Sequence, residues 1–256
     1  MVDRPPARQV AGTEPAAPGE GNPAGGSSAS GAPGENAPSV ETVDDNSGRD
    51  EAILSLRPSV TVASRPELLA AINATPFEPG VTSIGRPVDP LGLVLLGGER
   101  ISRPNPRYGA LYLLERGEPV IAQQPTAGET GAVRSNHAVR HAVGGYFVVL
   151  EEGELRGNRR QRAARSAVAI TADGERAILF AAAGGAPGTS VGLTAEEVGR
   201  WLKSLGGDTA LMLDGGGSTS LAVRDAGHAR MAVTPSWGPT LGVERPVATI
   251  LAVRRR

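Results

Sequence analysis

A carboxylate, three consecutive glycines and three hydroxyls stand together in Asp214-Gly215-Gly216-Gly217-Ser218-Thr219-Ser220. The glycines admit positive φ and let a ligand approach the main chain closely. Bare N–H groups and hydroxyls can then cradle an anion or a sugar oxygen, with the aspartate as the charged centre. A lone Asp-Gly between apolar runs is a hairpin turn, but this segment has more glycines and hydroxyls than a two-residue hairpin needs. It is not a phosphate-binding P-loop, because no Gly-Lys-Ser/Thr follows. Nor is it a dinucleotide fingerprint: its glycines are consecutive, and Leu221-Ala222-Val223 reads as strand where that motif opens a helix.

Three other clusters carry residues of related chemistry: Asn73-Ala74-Thr75-Pro76-Phe77, Arg165-Ser166-Ala167 and Glu244-Arg245-Pro246-Val247-Ala248. Arg165 and Arg245 offer guanidinium forks suited to a phosphate. Glu244 is the only other carboxylate within a motif. Each residue also has a plain structural reading. Asp214 can cap its own turn, and Asn73 before Thr75-Pro76 can form an Asx-turn. Arg165 can be a surface residue at a strand entry, and Glu244-Arg245 a rim ion pair of little worth.

In this order the four clusters resemble the phosphodiester glycosidase family, which has lysosomal and bacterial members. The family's pattern runs Asn-Ala/Gly-x-x-Phe, Arg-Thr/Ser-Ala, Leu-Asp-Gly-Gly-Gly-Ser-Ser, then Arg-Pro-Val-Ala, and the likeness covers about residues 66 to 253. Thr219 stands where the family usually has a second serine, and the region before Pro66 is shorter than the opening strands of some members. The resemblance implies hydrolysis of a sugar 1-phosphodiester at its glycosidic bond. It implies Asp214 as the carboxylate that stabilises or attacks the oxocarbenium-like C1, with Glu244 as acid or base. Arg165, Arg245, the N–H groups of Gly215, Gly216 and Gly217, and the hydroxyls of Ser218 and Thr219 would bind the phosphodiester. Asn73 would hold a sugar hydroxyl or acetamido group. No cofactor or metal is called for. The expected partner is a sugar phosphate or phosphorylated glycan. Two other readings stand beside this one. The first is a carbohydrate- or phosphate-binding module without turnover. The second, ranked last, is a metal-dependent phosphodiesterase, which normally shows clustered His and Asp ligands. Here only His137 and His141 are close, and they share a face only on a helix.

These clusters need elements to hold them. Ala52–Leu56, Ser59–Val62, Leu93–Leu96, Ala110–Leu114, Val120–Ala122, Tyr146–Leu150, Ser166–Ile170, Ala177–Ala181, Leu211–Leu213, Leu221–Val223 and Val247–Val253 read as strands. Pro66–Ile72 reads either as a short helix or as a strand ending at Asn73. Ala172-Asp173-Gly174-Glu175 reads as a hairpin turn. One helix is clear: Thr194 and Glu197 make a capping box, Val198, Trp201, Leu202 and Leu205 follow at helical spacing, and Gly206-Gly207 stops it. Its Trp201 face is expected on the sheet. The fold class expected is α+β, a single domain of mostly antiparallel or mixed sheet with a few packed helices.

Composition sets the outer limits. Residues 1–50 lack aromatics, hold eight acids and three bases, and read as a disordered tail. The domain expected over 51–256 then holds nineteen acids and twenty-three bases, a basicity too weak for a nucleic-acid partner. Arg156, Arg159, Arg160, Arg162 and Arg165 crowd one segment, as a basic rim or a solvated loop. There are no cysteines, hence no disulfides or thiolate chemistry. No apolar run is long enough to span a membrane, and no apolar stretch follows Met1 as in a signal peptide. The tether-like tail and the family likeness favour an extracytoplasmic place. The oligomeric state is not readable from the sequence.

Overall fold

The run Ala210-Leu211-Met212-Leu213 is apolar at every position because both faces of its strand, Thr209–Met212, are covered. Successive side chains point to opposite faces. Leu211 and Leu213 enter a core shared with Ile72, Leu111, Val143, Val168 and Leu251. Ala210 and Met212 enter another with Ala167, Ala169, Val198 and Leu202. A computed structural model describes residues 39–44, 46–49, 51–53, 55–78, 84–126, 138–156, 160–185, 190–233, 235 and 242–255, the first three segments as backbone only.

The strands form three five-stranded sheets and one of four strands. The first sheet runs Ser39–Asp44, Thr249–Arg254, Leu68–Asn73, Leu221–Asp225, His228–Met231. The second runs Pro119–Gln123, Gly109–Leu114, Val139–Gly144, Val94–Leu96, Glu99–Ser102. The third runs Glu154–Leu155, Val148–Glu151, Thr209–Met212, Arg165–Ile170, Ala177–Ala182. The small sheet joins Asn46–Arg49, Glu51–Ile53, Pro87–Pro90 and Phe77–Glu78. Strand pairing among the described residues is antiparallel. Ile72 and Leu251 of the first sheet, Leu111 and Val143 of the second, and Val168 and Leu211 of the third meet in one central core.

Two short helices complete it: α1, Pro58–Ser64, and α2, Ala195–Ser204. The protein is therefore predominantly antiparallel β rather than a balanced α+β fold. Ser59–Val62, expected as a strand for its β-branched residues, is instead most of α1. Pro58 sits at its first turn, where a missing N–H costs nothing, and Pro58, Thr61 and Val62 are buried. Packing on the first sheet overrides the local preference. Pro66–Ile72 resolves to the strand Leu68–Asn73.

Of the expected tail, residues 1–38 lie outside the described residues. Ser39–Asp44 pairs along the whole last strand, from Ser39 opposite Arg254 to Asp44 opposite Thr249.

The capping box of α2 is present in full: the Glu197 amide donates to the Thr194 hydroxyl at 3.2 Å and the Thr194 amide to the Glu197 carboxylate at 2.8 Å. Its buried stripe is Ala195, Val198, Gly199 and Leu202. Trp201, expected against the sheet, is 55% exposed. The reason lies at Gly199, where an added Cβ would stand 3.1 Å from the Val149 carbonyl oxygen. The helix touches the sheet backbone there, which turns Trp201 outward. Trp201→Ala is accordingly expected to change stability by no more than about 0.5 kcal/mol, as at other surface positions; urea unfolding measures it.

Candidate active site

The aspartate-triglycine segment carries the chain from one sheet to another. It leaves strand Thr209–Met212 of the third sheet and enters strand Leu221–Asp225 of the first. Main-chain bonds fasten it on both sides. The Leu213 amide donates to the Ser166 carbonyl, Asp214 to Ala74 and Gly216 to Ala164, each at 2.9 Å. A Cβ on Gly215 would sit 2.9 Å from the Ala164 carbonyl oxygen, and Gly216 has φ +57. The first glycine is needed for close approach and the second for its backbone angle. A short 3-10 turn, Gly216–Ser218, follows, with the Ser218 amide on Gly215 and the Thr219 amide on Gly216, both at 3.1 Å.

Asn73 locks this crossing from behind. Its side-chain amide donates to the Asp214 carbonyl at 2.7 Å. Its side-chain oxygen accepts the Ser166 hydroxyl at 2.6 Å and the Ser220 amide at 3.1 Å. Asn73 has no exposed surface. A buried amide bonded at both ends to protein holds the turn in place.

Asp214 itself is half-buried, with its carboxylate on the other side of the turn from Asn73. Its Oδ1 accepts the Gly215 amide at 2.9 Å and the Tyr146 hydroxyl at 3.4 Å. Burial raises its pKa above the usual aspartate value, while the Ser218 hydroxyl, the Gly215 amide, the Arg245 charge and Tyr146 pull it down. Arg245 donates to the Ser218 hydroxyl oxygen at 3.0 Å, and its guanidinium lies 4.7 Å above the Phe77 ring. Asp214, Ser218 and Arg245 thus form a chain of carboxylate, hydroxyl and cation, with an aromatic face under the cation.

Other expected residues stand differently. The Arg165 guanidinium donates to the Leu193 carbonyl at 3.1 Å and the Gln161 carbonyl at 2.6 Å, so it ties two loops together. The Glu244 carboxylate accepts the Ser59 amide at 3.2 Å and the Ser59 hydroxyl, which caps the first turn of α1. Burial raises its pKa as well, opposed by Ser59, Ser220 and Arg57. Thr219 is 1% exposed, and its buried hydroxyl has no hydrogen-bond partner among the described residues. Of the glycine amides, Gly215 serves the aspartate and Gly216 the Ala164 carbonyl, which leaves that of Gly217 outside both bonds.

His141 lies on a strand, Val139–Gly144, not a helix. Its Nδ1 accepts the Gly97 amide at 3.2 Å, and burial, helped by Arg140, lowers its pKa to about 4. It is neutral at physiological pH. His137 lies outside the described residues, as does Arg159 of the basic segment. Arg162 there pairs with Glu197, and Arg156 with Glu151 at 3.1 Å.

Tyr146 and Ser166 escaped the sequence reading as members of the site. Tyr146 had a signal: it is one of only three tyrosines and follows Gly144-Gly145. A Cβ on Gly145 would stand 2.4 Å from the Met212 carbonyl oxygen. That close approach lets the Tyr146 amide donate to Met212 at 2.7 Å, two residues before Asp214. The Tyr146 ring meets Tyr108 edge-on, with centroids 5.6 Å apart. Tyr146→Phe removes a bond that favours the charged carboxylate. The Asp214 pKa is then expected to rise further, which carboxyl carbon NMR across a pH titration would record; an unmoved titration would leave Tyr146 a packing role only.

Known proteins share the fold. The family model for phosphodiester glycosidase matches residues 67–254. Among solved structures, the catalytic domain of zebrafish N-acetylglucosamine-1-phosphodiester α-N-acetylglucosaminidase, auto-inhibited by its pro-peptide, is similar at 19% identity and TM-score 0.63, over 86% of this chain and 73% of its own. A hypothetical protein from Synechocystis is similar at 19% identity and TM-score 0.53, over 86% of this chain and 57% of its own. A Burkholderia pseudomallei protein is similar at 14% identity and TM-score 0.56, over 86% of this chain and 71% of its own. No curated protein matches the sequence significantly.

Proposed function

Since the chain belongs to the phosphodiester glycosidase family, we propose that it hydrolyses a sugar 1-phosphodiester, of the N-acetylglucosamine 1-phosphodiester type, at the bond between C1 and the phosphate oxygen. One observation carries the proposal: the Asp214 carboxylate is linked through the Ser218 hydroxyl to the Arg245 cation. The substrate brings a matching pair of charges. Its phosphodiester is an anion, and its C1 turns cationic as the bond breaks.

Arg245 receives the phosphate, and the Gly217 amide adds a donor at its flank. The C1–O bond breaks with its electron pair going to the phosphate oxygen. Asp214 faces the positive charge developing at C1, either as nucleophile or as a fixed counter-charge. Water supplies the new oxygen at C1 and gives up a proton. The products are a free sugar and a phosphomonoester. The leaving group is already a weak base, so no strong acid has to protonate it. Glu244 enters this scheme as acid or base, and its bonds to Ser59 also give it a structural role. Asp214 acts as an anion and its pKa is raised, so kcat/KM should climb with pH through a value above that of an ordinary aspartate.

The proposed setting is phosphorylated glycan of the cell envelope or exopolysaccharide. The direct test is release of reducing sugar from the methyl phosphodiester of N-acetylglucosamine 1-phosphate. Binding of that diester without release would instead indicate a carbohydrate-binding module.

A further inference from the structure

The strand Ala177–Ala182 ends the third sheet. On one side it pairs with Arg165–Ile170, from Ala182 opposite Arg165 to Ala177 opposite Ile170, with no break in register. It reads Ala-Ile-Leu-Phe-Ala-Ala, without charge or proline, and all six residues are half-buried. Both of its faces are apolar: Leu179 and Ala181 pack against the central core, and Ile178 and Phe180 against the core under α2.

Edge strands are usually blunted by charge, proline or shortness, because their open N–H and C=O groups recruit other strands. The other outer strands of the three large sheets follow that rule. Ser39–Asp44 carries Glu41 and Asp44, Glu99–Ser102 carries Glu99 and Arg100, and His228–Met231 carries Arg230. Pro119–Gln123 opens on proline, and Glu154–Leu155 is two residues long. Ala177–Ala182 has none of these devices.

The hydrogen bonds tell which of its groups face outward. The Leu213 amide donates to the Ser166 carbonyl at 2.9 Å and the Asp208 amide to the Ile170 carbonyl at 2.8 Å. Ser166, Val168 and Ile170 therefore turn their main-chain groups toward Thr209–Met212. Alternation then directs those of Arg165, Ala167 and Ala169 to Ala182, Phe180 and Ile178. The Thr171 amide, on the Arg176 carbonyl at 3.1 Å, keeps the same phase. The N–H and C=O groups of Ala177, Leu179 and Ala181 are left facing away from the sheet, and none bonds another main-chain group among the described residues.

A two-fold axis sets a strand antiparallel to itself. With the axis at Leu179, the outward groups match: Leu179 stands opposite itself, and Ala177 opposite Ala181. Ile178 falls opposite Phe180, an apolar pair of the kind that stabilises sheets. Glu175 and Arg176 fall opposite Ala183 and Ala182, so no charge meets its like. We propose that two copies of this chain associate through Ala177–Ala182, which joins their third sheets into one continuous sheet. One strand pair is a small interface, so the dimer is weak and dissociates on dilution.

Sedimentation equilibrium of the full chain is expected to show a monomer–dimer equilibrium. Ala177→Pro removes one outward N–H, a change tolerated at the first residue of an edge strand. It is expected to weaken the dimer about tenfold, since each copy loses a bond, with the urea unfolding midpoint of the monomer unchanged. Hydrogen exchange of the labelled wild-type chain gives a readout that needs no variant. Protection of the Ala177, Leu179 and Ala181 amides should rise with protein concentration, while that of the Ile178 and Phe180 amides, already bonded within the sheet, should not. A wild-type chain that stays monomeric up to about 1 mM overturns the proposal. So does a dimer that a folded Ala177→Pro chain keeps in full, or one that leaves those three amides unprotected. If the variant does not fold, the exchange result decides alone.

Discussion

Asp214→Asn is expected to lower kcat/KM on a sugar 1-phosphodiester on the order of 10³-fold, about 4 kcal/mol of transition-state stabilisation. The amide keeps the shape of the carboxylate and can still accept the Gly215 amide, but it offers no charge to C1. The same variant is expected to fold with no loss of thermal stability at neutral pH. The sign follows from the raised pKa. The folded state binds a proton at Asp214 more readily than the unfolded chain does. Between the unfolded and folded values, stability therefore rises as pH falls and is lost as pH climbs through the folded value. A neutral side chain removes that penalty. Activity lost together with stability would point to a turn that has collapsed, and activity retained would remove Asp214 from the chemistry.

Asn73→Ala is the second large effect, and it falls on folding. The variant strands three partners at once: the buried Ser166 hydroxyl and Ser220 amide, and the part-buried Asp214 carbonyl. Each stranded group costs about 1–3 kcal/mol, so three together cost about 3–9 kcal/mol, much of a typical domain's total of about 5–15 kcal/mol. Asn73→Asp should do no better, because an oxygen would then face the Asp214 carbonyl and an anion would be buried without a cation. Urea unfolding of both variants measures this. Near-wild-type stability combined with weakened substrate binding would support the sugar-holding role that its motif first suggested.

Local features of the chain were legible, and distant ones were not. The α2 capping box depends on residues within a few positions and stands as read, while the strand expected at Leu211–Leu213 runs Thr209–Met212. Asn73 depends on partners 93, 141 and 147 residues away, so its type could be read but not its duty. The same holds for α1, whose first turn is capped by Glu244 from 185 positions on. Trp201 had the right period but the wrong phase, since Gly199 rather than bulk decides which face of α2 meets the sheet. Arg165 and Arg245 read alike as phosphate forks. Packing separates them: one guanidinium ties two loop carbonyls, and the other stands over Phe77 within reach of the Asp214 turn.

The central claim is that the bond cut lies between C1 and the phosphate oxygen, with Asp214 facing C1. Hydrolysis of the methyl phosphodiester in ¹⁸O-labelled water tests it most directly, read by the isotope shift of the phosphomonoester in phosphorus NMR. Cleavage at C1 leaves every phosphate oxygen unlabelled, which is the result predicted. One ¹⁸O in the phosphomonoester would place the attack on phosphorus and contradict the account.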